Sequence, residues 1–154
     1  MNVRKAIFVY DGETVPDGFK MPRRSTTGSA GYDFFLNGGS PVELLPGESV
    51  VIDTHIKIKL RDDLCLMIYP RSGHGFKYGI RLANTVGVID SDYYSDEPGK
   101  GVIKIKLVNG GNDTVHIKSG DAVAQGVITH FFTTDDDDAS GERNGEGFGS
   151  TDRK

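Results

Sequence analysis

The sequence predicts an all-β protein of jelly-roll type, a distorted β-barrel with one short helix. The chain has 154 residues, the size of a single domain. It contains 13 Val, 11 Ile and 10 Thr against only 6 Ala and 8 Leu. This ratio favours strands, because β-branched side chains suit a pleated surface whereas Ala and Leu are strong helix formers. Turns rich in Gly and Pro (21 and 6 residues) separate short apolar segments, as in sandwiches and barrels.

Five segments have the apolar patterns of strands: 3–10, 49–60, 64–69, 102–108 and 123–132. Residues 49–60 carry a long alternation, with Val50, Ile52, Ile56, Ile58 and Leu60 on one parity, which predicts one long half-buried strand. Residues 64–69 are continuously apolar and end at Pro70, as expected of a covered central strand. The Asn-Gly-Gly sequence at 109–111 predicts a hairpin turn, and a short helix fits residues 72–78.

The composition changes near residue 134, so we expect a β domain over 1–134 and a flexible C-terminal arm over 135–154. Phe148 is the one large apolar residue of the arm, and such a segment buries too little surface to fold by itself. The four aspartates at 135–138 are interpreted as a solvated linker rather than a metal site.

Several classes of function are disfavoured. No apolar run approaches the roughly 20 residues that span a bilayer, so no membrane partner is expected. The net charge of −4 argues against a general nucleic-acid binder but leaves room for a single small polyanion. One cysteine, Cys65, excludes an intrachain disulfide framework and indicates a reducing cytosol. The four histidines lack metal-ligand spacing, which argues against a zinc enzyme.

Three segments carry groups suited to chemistry. Arg71, Ser72 and Gly73 lie where a strand gives way to a helix, so they form either a phosphate cradle or an ordinary turn. A short apolar strand precedes Asp90 and Asp92, which share a parity if the chain stays extended and would then face one cleft. A carboxylate there is a general base, a ligand of metal-bound water or a turn former.

The third segment is the glycine-rich stretch 143–151 of the arm. Its Arg, hydroxyl groups and single aromatic ring suit either a lid over a nucleotide or an unstructured terminus.

Taken in order, five segments resemble the five motifs of the trimeric dUTP diphosphatase (dUTPase) family. The matching segments are 30–33, 70–73, 87–93, 120–125 and 143–151, so the resemblance covers nearly the whole chain. It implies a jelly-roll homotrimer that hydrolyses dUTP to dUMP and pyrophosphate with Mg²⁺, limiting uracil in DNA and supplying dUMP for dTMP synthesis. It also implies active sites shared between all three chains, with the arm of one chain ordered over the site of a neighbour.

The resemblance assigns roles to individual residues. Asp90 would be the general base that orients the attacking water, and Asp33 would help to place the waters of a metal ion that is held mainly by the substrate's phosphates. Tyr93 would pack against the deoxyribose and exclude a 2′-hydroxyl. The remaining expected contacts are uracil recognition by Asn84, Gly87, Val88, Ile89 and the backbone of Ile103, phosphate binding by Arg71, Ser72, Gly73 and Gln125, and the lid formed by Arg143, Phe148, Gly149 and Ser150.

The chain departs from the family pattern in three places. Residues 94–101 form a longer loop after Tyr93, Ala122 stands where Arg is common, and Asn144 and Glu146 occupy usual glycine positions. Two alternatives stay open at this point. One is a dCTP deaminase of the same fold, and the other is a non-catalytic regulatory protein that keeps the nucleotide pocket.

Overall fold

The computed structural model describes residues 5–141, 143 and 145–148, and the statements below concern these residues. They contain eleven strands, one α-helix (α1, Ser72–Tyr78) and a 3₁₀ helix at Ser91–Tyr93. The strands are β1 (Ala6–Tyr10), β2 (Tyr32–Phe35), β3 (Val42–Leu44), β4 (Ser49–Asp53), β5 (Ile56–Leu60), β6 (Leu64–Tyr69), β7 (Ile80–Leu82), β8 (Gly87–Ile89), β9 (Lys104–Asn109), β10 (Val115–Ile117) and β11 (Ala122–His130).

The strands pair antiparallel in four small sheets around one apolar core. The largest sheet has the order β2-β11-β6-β8, and a second has the order β4-β9-β7. Strands β1 and β5 form one pair, and β3 and β10 form another. Within the described residues these sheets do not close into one hydrogen-bonded ring. The prediction of an all-β fold with one short helix is confirmed, and β6 is the buried central strand that its sequence predicts.

The predicted long strand over 49–60 is wrong in one respect, because it is two strands with a break at Thr54 and His55. The Thr54 hydroxyl donates to the Ile103 carbonyl at 2.6 Å and accepts from the Ile56 amide at 3.1 Å. His55 takes a left-handed conformation with φ of 55°. Since the break spans two residues, the alternation keeps its phase, and Ile52 and Ile56 both face the core.

The predicted hairpin at 109–111 is also wrong. Strand β9 pairs with β4 and β7, while β10 pairs with β3. The glycines serve close packing instead, because a Cβ on Gly111 would lie 2.3 Å from the Tyr78 carbonyl oxygen. Asn109 is fully buried and bridges this turn to the Leu44 carbonyl.

Helix α1 begins directly after β6 and ends at Gly79, whose φ of 67° suits glycine. It therefore starts at the end of the central strand, beside the neighbouring strand β11. This position brings Arg71 and Ser72 to the end of the four-stranded sheet where β6 terminates. Among the residues that the structure describes, no helix is long and apolar enough to cross a bilayer.

Candidate active site

One polar pocket, here called the anion pocket, lies where β2, β11 and β6 run side by side. The antiparallel register places Asp33 opposite Gln125 and Gln125 opposite Tyr69. Arg71 and Ser72 close the pocket from the start of α1. Its lining consists of Ser25, Ser29, Ala30, Gly31, Asp33, Tyr69, Arg71, Ser72, Gln125 and Val127.

Hydrogen bonds fix the polar groups of the anion pocket. The Arg71 Nε lies 3.1 Å from Asp33 Oδ1, and the Ser25 hydroxyl donates to Asp33 Oδ2 at 3.0 Å. Gln125 donates from Nε2 to the Pro70 carbonyl at 3.1 Å. A Cβ on Gly31 would meet Gln125 Oε1 at 2.5 Å, so glycine lets the amide occupy this place. The Arg71 side chain remains 40% exposed and is able to contact an anion.

A second pocket, here called the nucleoside pocket, lies against β8 and β9. Its lining includes Asn84, Gly87, Val88, Ile89 and Tyr93, as the sequence predicts. Strand β8 is the edge strand of its sheet, so one side of it presents unpaired backbone groups. Such groups alternate donors and acceptors, which is the pattern needed to bind the polar edge of a pyrimidine.

Gly87 packs closely against the neighbouring strand β6. A Cβ there would lie 3.1 Å from the Ile68 Cβ, so a larger residue would push the two strands slightly apart. The Asn84 amide lies beside the same position, at an ordinary contact distance of 3.8 Å from such a Cβ.

Asp90 directly follows Ile89 of β8, and its carboxylate contacts Arg143, a residue that lines the nucleoside pocket. The expectation that Asp90 and Asp92 lie on one extended strand is wrong, because residues 91–93 form a 3₁₀ helix. The two carboxylates nevertheless both lie close to the guanidinium of Arg143. Arg143 donates from Nη2 to Asp90 Oδ2 at 2.8 Å, and its Nε lies 3.4 Å from Asp92 Oδ1.

Tyr93 is fixed at the base of the same pocket. Its hydroxyl donates to the Val102 carbonyl at 2.8 Å. Burial is the main cause of the raised pKa of Tyr93, and the charge of Asp53 adds to it while Arg143 opposes it. The phenol therefore stays protonated at neutral pH, which its role as a hydrogen-bond donor requires.

The described part of the arm lies over the nucleoside pocket of its own chain. Gly147 is so close to Tyr93 that a Cβ would come within 2.8 Å of its ring. Phe148 lines the pocket with its side chain 84% exposed, a position from which its ring can contact a bound base. The expectation that the arm of one chain is ordered over the site of a neighbour concerns the trimer and stays a prediction. Asn144, Gly149 and Ser150 lie outside the described residues, so the predictions for them stay predictions.

Ile103 is not brought to the nucleoside pocket. It is fully buried, its amide donates to the Ile56 carbonyl, and its carbonyl accepts from Thr54. The next residues of β9 line the pocket instead, namely Lys104, Ile105 and Lys106. The sequence analysis missed both lysines, although their alternation with buried Ile105 and Leu107 would have placed them on the outer face.

Cys65 and His74 are the other reactive side chains near the site. Burial raises the pKa of the Cys65 thiol, and the nearby charge of Asp90 adds to the effect, so this cysteine is a poor nucleophile. Burial also lowers the pKa of His74, with Arg71 contributing, so the imidazole is neutral at neutral pH. Within the described residues, no three His, Cys, Asp or Glu side chains cluster in a way that would hold a metal ion.

Comparisons with known proteins identify the family of this chain. The family model described as dUTPase matches residues 17–152. A deoxyuridine 5′-triphosphate nucleotidohydrolase of Aeromonas salmonicida is 38% identical over 141 residues, which cover 88% of this chain and 89% of that protein.

Two solved structures show the same fold. The crystal structure of dUTPase from Streptococcus mutans matches with a TM-score of 0.70 and 32% identity, over 86% of this chain and 99% of that one. A mutant dUTPase from phage phi11 of S. aureus, whose structure is described as revealing the coordination of a structural Mg(II) ion, matches with a TM-score of 0.67. It is 21% identical, with 90% of this chain and 98% of that chain covered, so it supports the fold alone. The jelly-roll prediction is thus confirmed, and the chain belongs to the dUTPase family.

Proposed function

We propose that this protein hydrolyses dUTP to dUMP and pyrophosphate, with Asp90 acting on the attacking water. The observation that carries the proposal is the position of Asp90 in a chain of the dUTPase family. Its carboxylate accepts from Arg143 at 2.8 Å, and Arg143 lines the pocket that Asn84 and strand β8 also line. The pairing connects a carboxylate, which can accept a proton, to the pocket proposed for the nucleoside.

Selectivity for deoxyuridine follows from the walls of the nucleoside pocket. Asn84 and the backbone of Gly87, Val88 and Ile89 bind the polar edge of uracil, and their close packing excludes the 5-methyl group of thymine. The Tyr93 ring packs against the deoxyribose. Because its hydroxyl is anchored to the Val102 carbonyl, the ring cannot move aside for a 2′-hydroxyl.

The reaction needs positioning and charge neutralisation more than covalent catalysis. Asp90 accepts a hydrogen bond from a water molecule and orients it in line with the α-phosphorus, taking its proton as the new P–O bond forms. The bond between the α-phosphorus and the oxygen that bridges to the β-phosphorus breaks, and pyrophosphate leaves with that oxygen. Arg71, Ser72 and Gln125, which line the anion pocket, hold the phosphates together with the neighbouring Gly73. Arg143 balances the charge of the triphosphate when the arm closes, and Phe148 covers the base.

Mg²⁺ is the proposed cofactor, and the residues present fit an ion that arrives with the triphosphate. The described residues provide no dense cluster of ligands, and Asp33 is the acidic side chain of the anion pocket. Asp33 already accepts from Ser25 and pairs with Arg71, so it suits hydrogen bonding to metal-bound waters better than direct ligation. When bound, the ion neutralises phosphate charge and fixes the conformation of the triphosphate.

A homotrimer with shared active sites is supported by the separation of the two pockets. The nucleoside pocket and the anion pocket have no lining residue in common. In addition, Phe76 and Phe132 are 96% and 95% exposed, which suits burial against other copies of the chain. A nucleotide bound between chains would place its base on one and its phosphates on the next. We place the enzyme in the cytoplasm, or in the host cytoplasm if it is phage-encoded.

The experiment that tests the proposal is pyrophosphate release with Mg²⁺ from dUTP, dTTP, dCTP and UTP, with the base of each product identified. Turnover of dUTP alone, giving dUMP, is the expected result. Deamination of dCTP would assign the protein to the deaminase branch of the fold. Tight dUTP binding without turnover would favour a regulatory nucleotide-binding protein, and either result would overturn the proposal.

A further inference from the structure

Lys57 on β5 is only 4% exposed, although the alternation of its strand predicts a position on the outer face. Its Nζ lies 2.8 Å from Asp11 Oδ1, donates to the Ser95 carbonyl at 3.0 Å and donates to the Glu97 carbonyl at 2.7 Å. These three oxygens match the three N–H donors of an ammonium group. Two of them belong to the loop of residues 94–101, here called the 94–101 loop, which therefore covers Lys57.

Asp11 holds the same loop from a second side. Its carboxylate accepts from the Gly99 amide at 3.0 Å, and its own amide donates to the His55 carbonyl at 2.8 Å, beside the start of β5. The Asp11 side chain is 15% exposed. A largely buried ion pair with these further hydrogen bonds holds one geometry, because separating the two charges would leave each uncompensated. The 94–101 loop, which is longer than the family pattern, is thereby fixed to the β1–β5 pair.

The two ends of the 94–101 loop meet at Tyr93. Gly101 has a φ of 70°, and a Cβ there would lie 2.6 Å from the Tyr93 carbonyl oxygen, so only glycine permits this approach. The Tyr93 hydroxyl donates to the carbonyl of Val102, the residue that follows the loop. Tyr93 therefore contacts the far end of the loop with both its backbone and its hydroxyl, and the position of its ring depends on how the loop closes.

The position of this ring matters for the choice of sugar. Ribose differs from deoxyribose by one hydroxyl group, so a wall that excludes it works only where the ring cannot shift by about 1 Å. The hydrogen bond to Val102 fixes the tip of the Tyr93 side chain. The backbone from which the side chain extends is the start of the 94–101 loop, and the pair of Lys57 and Asp11 fixes that loop.

We propose that the Lys57–Asp11 ion pair positions the Tyr93 ring by holding the 94–101 loop in place, and that Lys57 thereby determines how strongly the site selects deoxyribose over ribose. The inference rests on the proposed packing of Tyr93 against the deoxyribose. Among the described residues, Tyr93 lines the nucleoside pocket whereas Lys57 does not. Lys57 is therefore a positioning residue that acts through the loop rather than on the substrate.

The test is the ratio of kcat/KM for dUTP to that for UTP, measured with Mg²⁺ in the double variant Asp11→Asn/Lys57→Met. This variant removes both charges, so it weakens the anchor of the loop without leaving a lone buried ion. We expect the ratio to fall about fivefold or more, because the displaced ring makes room for the 2′-hydroxyl. Calorimetry with non-hydrolysable analogues of the two nucleotides should show a matching loss of preference in the dissociation constants.

Two variants are matched controls. Lys59→Met changes a lysine on the same face of β5 that pairs with Asp96 at 3.5 Å but is 31% exposed, so the ratio should change by less than about twofold. Asn109→Ala removes a buried bridge to the Leu44 carbonyl, at the opposite end of β9 from the loop, and should also leave the ratio within about twofold. An equal loss of selectivity in Asn109→Ala would mean that general destabilisation lowers the ratio, and would contradict the role of Lys57.

A double-mutant cycle tests whether the ion pair acts through Tyr93. In a Tyr93→Ala background no ring is left to position, so the Asp11→Asn/Lys57→Met change should alter the ratio by less than about twofold. An additive loss in that background would overturn the inference. If the double variant does not fold, Gly99→Pro removes the amide hydrogen that Asp11 accepts, from an exposed position of the loop, and must lower the ratio in the same direction.

Failure of this inference and failure of the proposed function are distinguishable. If wild-type protein prefers dUTP to UTP and the loop variants keep the same preference, the inference alone is overturned. If wild-type protein prefers neither nucleotide, in rate or in binding, the proposed function is rejected and the inference with it. Preference in binding without hydrolysis would reject the proposed reaction, and the dissociation constants of the variants would then decide the role of Lys57.

Discussion

The guanidinium of Arg143 donates to the carboxylate of Asp90 at 2.8 Å, across 53 residues of sequence. This contact joins the arm to the residue that we propose as the general base. It holds the Asp90 side chain in one orientation, and it leaves the Arg143 Nε with an ion pair to Asp92 that lacks hydrogen-bond geometry. A triphosphate carries more negative charge than either carboxylate, so we expect it to compete for the guanidinium on binding.

Asp90→Asn tests the general base. The amide is nearly isosteric but cannot accept a proton, so we expect kcat to fall by about 10²- to 10⁴-fold with dUTP affinity changed less than about threefold. Pyrophosphate release gives the rate, and calorimetry with a non-hydrolysable analogue gives the affinity. Asp92→Asn is the matched control, since this carboxylate also faces Arg143 but lies farther from it. Turnover of Asp90→Asn near the wild-type rate would mean that another group takes the proton.

Tyr93 is expected to determine sugar selectivity through its ring rather than its hydroxyl. In Tyr93→Phe the ring remains, so discrimination between dUTP and UTP should persist, with a loss of about 1 kcal/mol in unfolding free energy for the bond to Val102. In Tyr93→Ala the wall is lost, and the ratio of kcat/KM for dUTP to that for UTP should fall about tenfold or more. If Tyr93→Phe and Tyr93→Ala had the same ratio of kcat/KM for dUTP to that for UTP, sugar selectivity would depend on another residue.

His74 is expected to make stability depend on pH in the mildly acidic range. Its pKa in the folded protein lies below the ordinary value of 6.5, chiefly because of burial. The unfolded chain therefore binds the proton more readily, and stability is lost as pH falls below about 6.5 towards the folded pKa. In His74→Gln, the free energy of unfolding from chemical denaturation should fall less steeply between pH 7.5 and 5 than in the wild type. His116→Gln, at an exposed histidine, serves as the control. An unchanged pH dependence of the unfolding free energy in His74→Gln would refute the assignment.

Local patterns in the sequence predict much of the fold, whereas the residues of the candidate site are assigned by the resemblance to the dUTPase motifs. Strand β6 and helix α1 follow from a continuous apolar run and from the Pro-Arg boundary after it. The burial of Lys57 could not be predicted, since its partners lie 38 to 46 residues away in sequence and the alternation of β5 assigns it to the polar face. The same holds for the arm, whose composition indicates a flexible segment but does not predict the close approach of Gly145 to Ser95.

At Asn109, tertiary contacts of the side chain outweigh the local preference of Asn-Gly for a hairpin turn. Asn-Gly usually indicates a hairpin turn, but here the side chain is fully buried and acts as a bridge. Its Nδ2 donates to the carbonyls of Leu44 and Asp113 at 2.9 and 2.8 Å, and its Oδ1 accepts from the Gly111 amide at 3.0 Å. The turn is thereby fixed to β3 rather than to a partner strand in a hairpin.

Asn109→Ala should therefore be among the more destabilising single changes in this region. It removes the partners of three backbone groups in a buried environment, and we expect a loss of about 3 kcal/mol in the free energy of unfolding, measured by urea denaturation. Asn109→Asp should be at least as harmful, because a carboxylate cannot donate to two carbonyls. The exposed Asn112→Ala provides the control and should change stability by less than about 0.5 kcal/mol. If Asn109→Ala and Asn112→Ala were equally stable, the side-chain bridge would not be what holds this turn against β3.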